Sequence, residues 1–281
     1  MRIEATAVED YNHIRVEPLT GTIGAEVSGV DLRDFNESII EEIQHAWLAH
    51  KVLFFRDQAL TMEEHIAYGR ALGRLEIHPF TPNSPEHPEI IILNSTPDRF
   101  FAAETWHTDV TFRARPPLGS ILLGRVIPSW GGDTCFANME LAYKLLPDEF
   151  KEEIDSLYAI HSLRMTFGRR MDEAALEKAL CEYPDQKHPV VRSHPETGRK
   201  SIFVNINFTH SIADMAPEDS ESLLKRLYAQ AKQPEVQCRF RWRPNSIAQW
   251  DNRCTQHYAV PDHGGVHRCM ERVTLVGDRP H

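Results

Sequence analysis

No apolar run in this chain approaches the ~20 residues that cross a bilayer, so no membrane span is expected. Cysteine is sparse. The five residues Cys135, Cys181, Cys238, Cys254 and Cys269 are odd in number and lack C-x-x-C spacing. That argues against a disulfide framework or a zinc knuckle and favours reduced thiols in a cytoplasmic protein. Positive charge is also short, with 31 Lys and Arg against 41 Asp and Glu and a formal net charge of -10. A nucleic-acid partner, which usually needs a basic surface, is not expected. A small anion can still bind wherever Arg and His are gathered locally. Residues 1–27 have no basic start followed by an apolar run, so no signal peptide is read. Repeats, low-complexity tracts and Gly/Ser linkers are missing too, which makes a single domain over 1–281 the simplest account.

What is present reads as many strands with a few helices. Glu37–His50 places Ile39, Ile40, Ile43, Ala46 and Trp47 at helical spacing. Val52-Leu53-Phe54-Phe55 follows as a buried strand. Thr61 and Glu64 fit a capping box that opens a helix ending near Gly73. Residues 89–93, 120–126, 188–192, 201–206 and 236–242 read as strands, and 217–231 as an amphipathic helix. This pattern predicts a mainly β fold with flanking helices around a double-sheet jelly-roll core. Residues 163–187 are charged and poorly patterned, and read as a helical insertion or a mobile lid.

Three separated signals carry chemistry. His107 and Asp109 are two residues apart, so on an extended chain both point to one side. An imidazole and a carboxylate on one face are part of what an iron(II) oxygenase needs, namely two nitrogens, one carboxylate and open positions opposite. By itself such a triplet reads equally as a solvated strand-end His and a turn Asp. His257 lies 148 positions after Asp109 and is the candidate third ligand, brought back on another strand. Arg268 comes eleven positions later. A strand over 267–276 would place Arg268, Met270 and Arg272 on one face. Two inward arginines need anionic partners, and 2-oxoglutarate offers a carboxylate that matches a guanidinium. Thr134, in Gly131-Gly132-Asp133-Thr134, could add a hydroxyl to that carboxylate, although the run alone reads as a turn.

These residues, taken in order, resemble the 2-oxoglutarate-dependent taurine dioxygenase (TauD/TfdA) family. The likeness runs from Pro18-Leu19-Thr20-Gly21 and Gly29-Val30-Asp31-Leu32 through Ile77-His78-Pro79 and Trp106-His107-Thr108-Asp109. It continues through His188-Pro189-Val190-Val191, Phe203-Val204-Asn205 and Trp250-Asp251-Asn252-Arg253 to Arg272. The resemblance implies a double-stranded β-helix (jelly-roll) core of the clavaminate synthase-like type. It implies iron(II) on His107, Asp109 and His257, and 2-oxoglutarate held by Arg268 and Thr134, with oxygen as the second cosubstrate. It implies an anionic substrate on Arg272 and His78, in a pocket lined by Val110, Phe167 and Phe208. For Phe208 a core aromatic is an equally good reading. A homodimer or homotetramer is also implied.

Two positions depart from the taurine dioxygenase pattern. Thr81 stands where a Tyr follows the histidine, and Ala103 where an Asn precedes the first ligand. A pocket without those polar groups discriminates poorly for taurine's amino end. An alkyl sulfonate or alkyl sulfate ester is therefore the expected substrate, with an aryloxyalkanoate or other carboxylate as the alternative. The expected products are succinate, carbon dioxide and an aldehyde plus sulfite or sulfate. A zinc or manganese cupin-like enzyme could use the same three ligands but would not need Arg268. A non-catalytic binding protein is the third reading.

Overall fold

Two short strands, β1 (Arg15–Pro18) and β2 (Ala25–Ser28), pair as an antiparallel hairpin at the start of the computed structural model. The model describes residues 3–7, 9–98 and 104–281. Helix α1 (Glu37–His50) is opened by Asn36, whose side chain accepts from the Ile39 N–H. It buries Ile40, Ile43, Ala46 and Trp47, the stripe that the spacing predicts. Lys51, at φ +67, turns the chain into β3 (Val52–Phe55), which is buried along its whole length. The capping box of α2 (Met62–Leu72) forms as read. Thr61 Oγ1 accepts from the Glu64 N–H, and the Glu64 carboxylate accepts from the Thr61 N–H.

The middle of the chain adds β4 (Ile91–Ser95), β5 (Gly119–Val126), β6 (Thr134–Asn138), α3 (Met139–Lys144), α4 (Asp148–Ile154) and β7 (Tyr158–His161). Residues 163–187 hold two 3-10 turns, then α5 (Glu173–Glu182) and the start of β8 (Gln186–Pro189). Next come β9 (Val191–Ser193), β10 (Lys200–Ile202), β11 (Thr209–Ile212) and α6 (Pro217–Tyr228). The chain closes with β12 (Gln237–Phe240), β13 (Ile247–Asp251), β14 (Thr255–Ala259) and β15 (Arg268–Leu275).

Seven strands form the main sheet in the order β1-β2-β3-β13-β5-β15-β4, antiparallel except for the β2–β3 pair. A three-stranded sheet, β12-β6-β14, lies against it. Between them sits a core of Phe54, Leu122, Trp250 and Met270 from the main sheet and Phe136, Cys238 and Phe240 from the smaller one. The opposite face of the main sheet buries Leu53, Phe55, Ile121 and Val273 under α1 and α2. Strand β13 is covered on both faces, so all five of its residues are buried and the period-two alternation is lost.

Several boundaries differ from the sequence reading. The strand expected over 188–192 is two strands. Pro189 cannot donate to a ladder, and at Val190 the chain leaves its pairing with β7 for pairing with β10. The strand expected over 201–206 ends at Ile202. Asn205 then caps a turn, its Oδ1 accepting from the Asn207 and Phe208 N–H groups. The strand expected over 89–93 starts at Ile91, because a turn closes from Ile90 N–H to His87 O. Among the described residues no helix is long and apolar enough to cross a membrane.

Candidate active site

His107 and His257 face each other through an isolated antiparallel bridge. The His107 N–H donates to His257 O at 3.1 Å and the His257 N–H returns to His107 O at 2.9 Å. Their rings end 4.1 Å apart, centroid to centroid. Asp109 is not on an extended chain, as the triplet spacing suggested. It opens a turn in which Val110 takes φ +52, an unfavourable backbone for a β-branched residue. That conformation is held from three sides. Asn252 Oδ1 accepts from the Asp109 N–H, and Asn252 Nδ2 donates to Asp109 O and Pro117 O. Thr108 Oγ1 donates to Thr255 O. Asn205 Nδ2 donates to Thr111 Oγ1, which also meets His161 Nδ1.

The result is a compact donor set. One ligand atom from each of His107, Asp109 and His257 lies within 4.8 Å of the others. Asp109 Oδ1 is 3.7 Å from His107 Nε2 and 3.9 Å from His257 Nε2. His107 donates its Nδ1–H to Thr105 O at 2.8 Å, which leaves the Nε2 lone pair free. Burial favours neutral rings, lowering the pKa of His107 and taking that of His257 down to about 3. Burial alone would raise the Asp109 carboxyl, but the Arg272 guanidinium opposes it and the group is held well below its usual range. Two neutral imidazoles and one ionised carboxylate fit a divalent first-row metal such as iron(II). A second cluster, His194, Asp251 and Cys254, meets the same distance limit. There Asp251 is already consumed by His194 and Arg253, and burial keeps the Cys254 thiol protonated, so that set reads as structural.

Asp109 Oδ2 has a separate job. It accepts from Arg272 Nη1 at 3.0 Å and, more weakly, from Ser120 Oγ at 3.4 Å. Arg272 and Arg268 stand on the same face of β15 with buried Met270 between them, as the strand spacing predicts. Arg268 opens β15, two residues before Met270. Its Nη2 donates to Gly132 O at 3.3 Å, and its guanidinium carbon is 6.0 Å from the Trp242 ring centroid. Arg268 Nε is buried without a hydrogen-bond partner, a donor that a carboxylate would satisfy. Burial lowers the pKa of Arg268 to about 10. Trp242 Nε1 donates to Thr134 Oγ1 at 2.9 Å, leaving the hydroxyl hydrogen to point elsewhere. Gly132, at φ +69, lies where an added Cβ would come within 3.3 Å of the Arg268 side chain.

His78 is buried, and its Nδ1 accepts from the Phe80 and Thr81 N–H groups, so its proton sits on Nε2. Burial, then Arg272, takes its pKa down to about 3. Phe167 is 5.8 Å from the His78 ring and 6.0 Å from Phe208. Both join Val110, Phe112, Phe80 and Tyr183 in an apolar cluster to which residues 163–187 contribute one wall. Thr81 supplies only its backbone to His78 in the contacts described; Ala103 lies outside the described residues. Sequence reasoning assigned no role to Asn252, Trp242, Phe80 or Phe112. The Trp250-Asp251-Asn252-Arg253 run was the signal for the first, and nothing local marked the others.

The model of the family described as taurine catabolism dioxygenase TauD, TfdA family matches residues 15–274. An alkylsulfatase from Acinetobacter baylyi is 38% identical, over 94% of this chain and 86% of its own. An alpha-ketoglutarate-dependent sulfate ester dioxygenase from Pseudomonas putida is 37% identical, over 94% and 90%. The crystal structure of a taurine dioxygenase from Burkholderia xenovorans superposes with a TM-score of 0.83 at 37% identity, covering 96% of this chain and 91% of that one. With a family match over most of its length and relatives this close, the chain belongs to the TauD/TfdA dioxygenase family.

Proposed function

We propose that this protein is an iron(II)- and 2-oxoglutarate-dependent dioxygenase that hydroxylates an alkyl sulfate ester or alkyl sulfonate. The carbon hydroxylated bears the sulfur group, and the product collapses to an aldehyde plus sulfate or sulfite. Its relatives act on such compounds by name, an alkylsulfatase and a sulfate ester dioxygenase among them. The observation that carries the substrate assignment is Arg272, a buried guanidinium beside Asp109 with an aromatic cluster next to it. An anionic head with an apolar tail matches that pairing.

In this reading His107, Asp109 and His257 hold the iron, and Arg268 and Thr134 bind the far carboxylate of 2-oxoglutarate. With iron, 2-oxoglutarate and oxygen bound, the centre supplies the oxidant, and 2-oxoglutarate leaves as succinate and carbon dioxide. The protein's own groups decide what meets that oxidant. Arg272 binds the sulfur oxyanion by charge-assisted hydrogen bonds, and His78 Nε2–H adds a neutral donor. Val110, Phe112, Phe167 and Phe208 exclude water and seat the alkyl chain. Thr81 offers no phenol where a taurine site has one, which supports an apolar tail over an amine.

The same reading takes the two facing sheets as a double-stranded β-helix and residues 163–187 as a lid. It takes the whole chain as one catalytic domain, since β1, β2 and β15 share a sheet. Five free cysteines support a cytoplasmic setting. A homodimer or homotetramer is carried over from the family. A carboxylate substrate such as an aryloxyalkanoate is the second reading, because a guanidinium grips a carboxylate equally well. A panel of alkyl sulfates, alkyl sulfonates, taurine and aryloxy acids, scored by 2-oxoglutarate consumption, tests the assignment. Alkyl sulfates or sulfonates should lead. Preference for taurine or an aryloxy acid would overturn it.

A further inference from the structure

We infer that Glu76 sets the net charge around the substrate head, so that a singly charged anion is preferred to a doubly charged one. The inference rests on the proposed anchoring role of Arg272 and concerns a residue with no part in holding metal or cosubstrate. Glu76 is buried and lies two residues before His78. Its N–H donates to the carbonyl of Thr274, two residues beyond Arg272 on β15. Its Oε2 accepts from Arg113 Nη1 at 2.7 Å. Arg113 closes the turn that carries Asp109 and Val110, its N–H donating to Val110 O. A carboxylate and two guanidiniums therefore sit on the segments that carry His78, Asp109 and Arg272.

Charge counting decides what that corner selects. Asp109 Oδ2 meets Arg272, but with a divalent metal and the keto-acid end of 2-oxoglutarate bound the Asp109 charge would be balanced there, and burial keeps His78 neutral. Arg272 and Arg113 bring two positive charges, and Glu76 cancels one of them. The remaining single charge matches a sulfate ester or sulfonate, which carries one negative charge. A phosphate monoester has a second pKa of about 6 and is close to dianionic above neutral pH. It would bring a second negative charge against the Glu76 carboxylate. In a partly buried site that difference is poorly screened and is felt over several ångströms. The Glu76 backbone pairs with β15 beside Arg272 and its carboxylate with Arg113, so these charges lie close together; burial raises the Glu76 pKa, and Arg113 and then Arg272 oppose that rise.

The test compares binding of an alkyl sulfate and of the alkyl phosphate of equal chain length, by calorimetry on the metal-loaded protein at mildly alkaline pH. Glu76→Gln removes the charge and keeps the shape. It should improve phosphate binding relative to sulfate by roughly tenfold. Arg113→Gln should move the ratio in the opposite direction, and the double variant should return it toward the wild-type value. Thermal melting reports whether each variant is folded. Either single variant is sufficient, because the two predicted shifts have opposite signs. An unchanged phosphate-to-sulfate ratio in a folded single variant overturns the inference. Turnover of the alkyl sulfate by the wild-type enzyme is read separately. Its absence would count against the proposed substrate and leave the charge comparison standing on its own measurement.

Discussion

Asp109 faces both nitrogen ligands with one oxygen and Arg272 with the other. At the scale of single residues, this divided carboxylate joins the proposed metal site to the proposed substrate site. Arg272 hydrogen-bonds Asp109 and, in the proposed reading, also meets the incoming anion, so its loss should be felt at both. A charge-assisted hydrogen bond contributes about 1.5–3 kcal/mol. Arg272→Ala is therefore expected to lower kcat/KM for the preferred anion by roughly ten- to a hundredfold, measured by steady-state kinetics. Arg272→Lys should recover part of that, since it keeps the charge but loses the planar fork. Equal kcat/KM in wild type and Arg272→Ala would remove the anchor. The three residues that the structure brings together, His107, Asp109 and His257, could be picked out in the sequence because each carries chemistry that is hard to place otherwise. Asn252 was quoted only as part of a run, because an amide that clamps a backbone leaves no local signature. It binds the Asp109 N–H and carbonyl together. Asn252→Ala should weaken iron binding by about 10–100-fold, as loss of such supporting groups typically does. Iron titration of the purified variant checks this.

Among the elements, the ones with strong local signals form where the sequence puts them. Helices α1 and α2 follow apolar periodicity and side-chain caps. Strands β8 and β9 do not, because one apolar run serves two sheets and Pro189 breaks it. Strand β14, which delivers His257, was located only through that histidine, and α5 falls in the charged stretch 163–187, whose weak apolar stripe left a helical insertion and a mobile lid as alternatives. Buried histidines outside the candidate metal site include His65 and His188. His65 of α2 bonds Ile121 O on β5, and burial takes its pKa down to about 3. His188 of β8 bonds Arg113 O, and burial takes its pKa down to about 4. The sign follows from proton counting. Between these values and the unfolded value of about 6.5, the unfolded chain binds more protons than the folded one, so acid favours unfolding. Thermal stability should hold above about pH 6.5 and fall as the pH is lowered toward 4. His65→Gln should flatten part of that slope in melting curves recorded across pH. Stability independent of pH in this window would contradict the neutral buried state.

Across the whole molecule, composition excluded more than it specified. An acidic chain without apolar spans implied that any anion site had to be local, and the structure sets Arg272 against the Asp109 carboxylate with Arg268 on the same face of β15. The layering of a large sheet on a small one was legible as a class, while strand order was not. That order depends on pairings such as β13 between β3 and β5, which join residues 192–198 and 124–132 positions apart and leave no trace in local pattern. Another long-range pairing, β14 on β6 with an isolated bridge, brings His257 to His107, and everything proposed for function depends on that meeting. The most direct test loads the purified protein with ferrous iron and 2-oxoglutarate and measures bound iron and oxygen-dependent succinate, for wild type and for His107→Ala. The account predicts one iron per chain and succinate release in the wild type, with both lost in the variant. Full iron binding and succinate release by His107→Ala would contradict it.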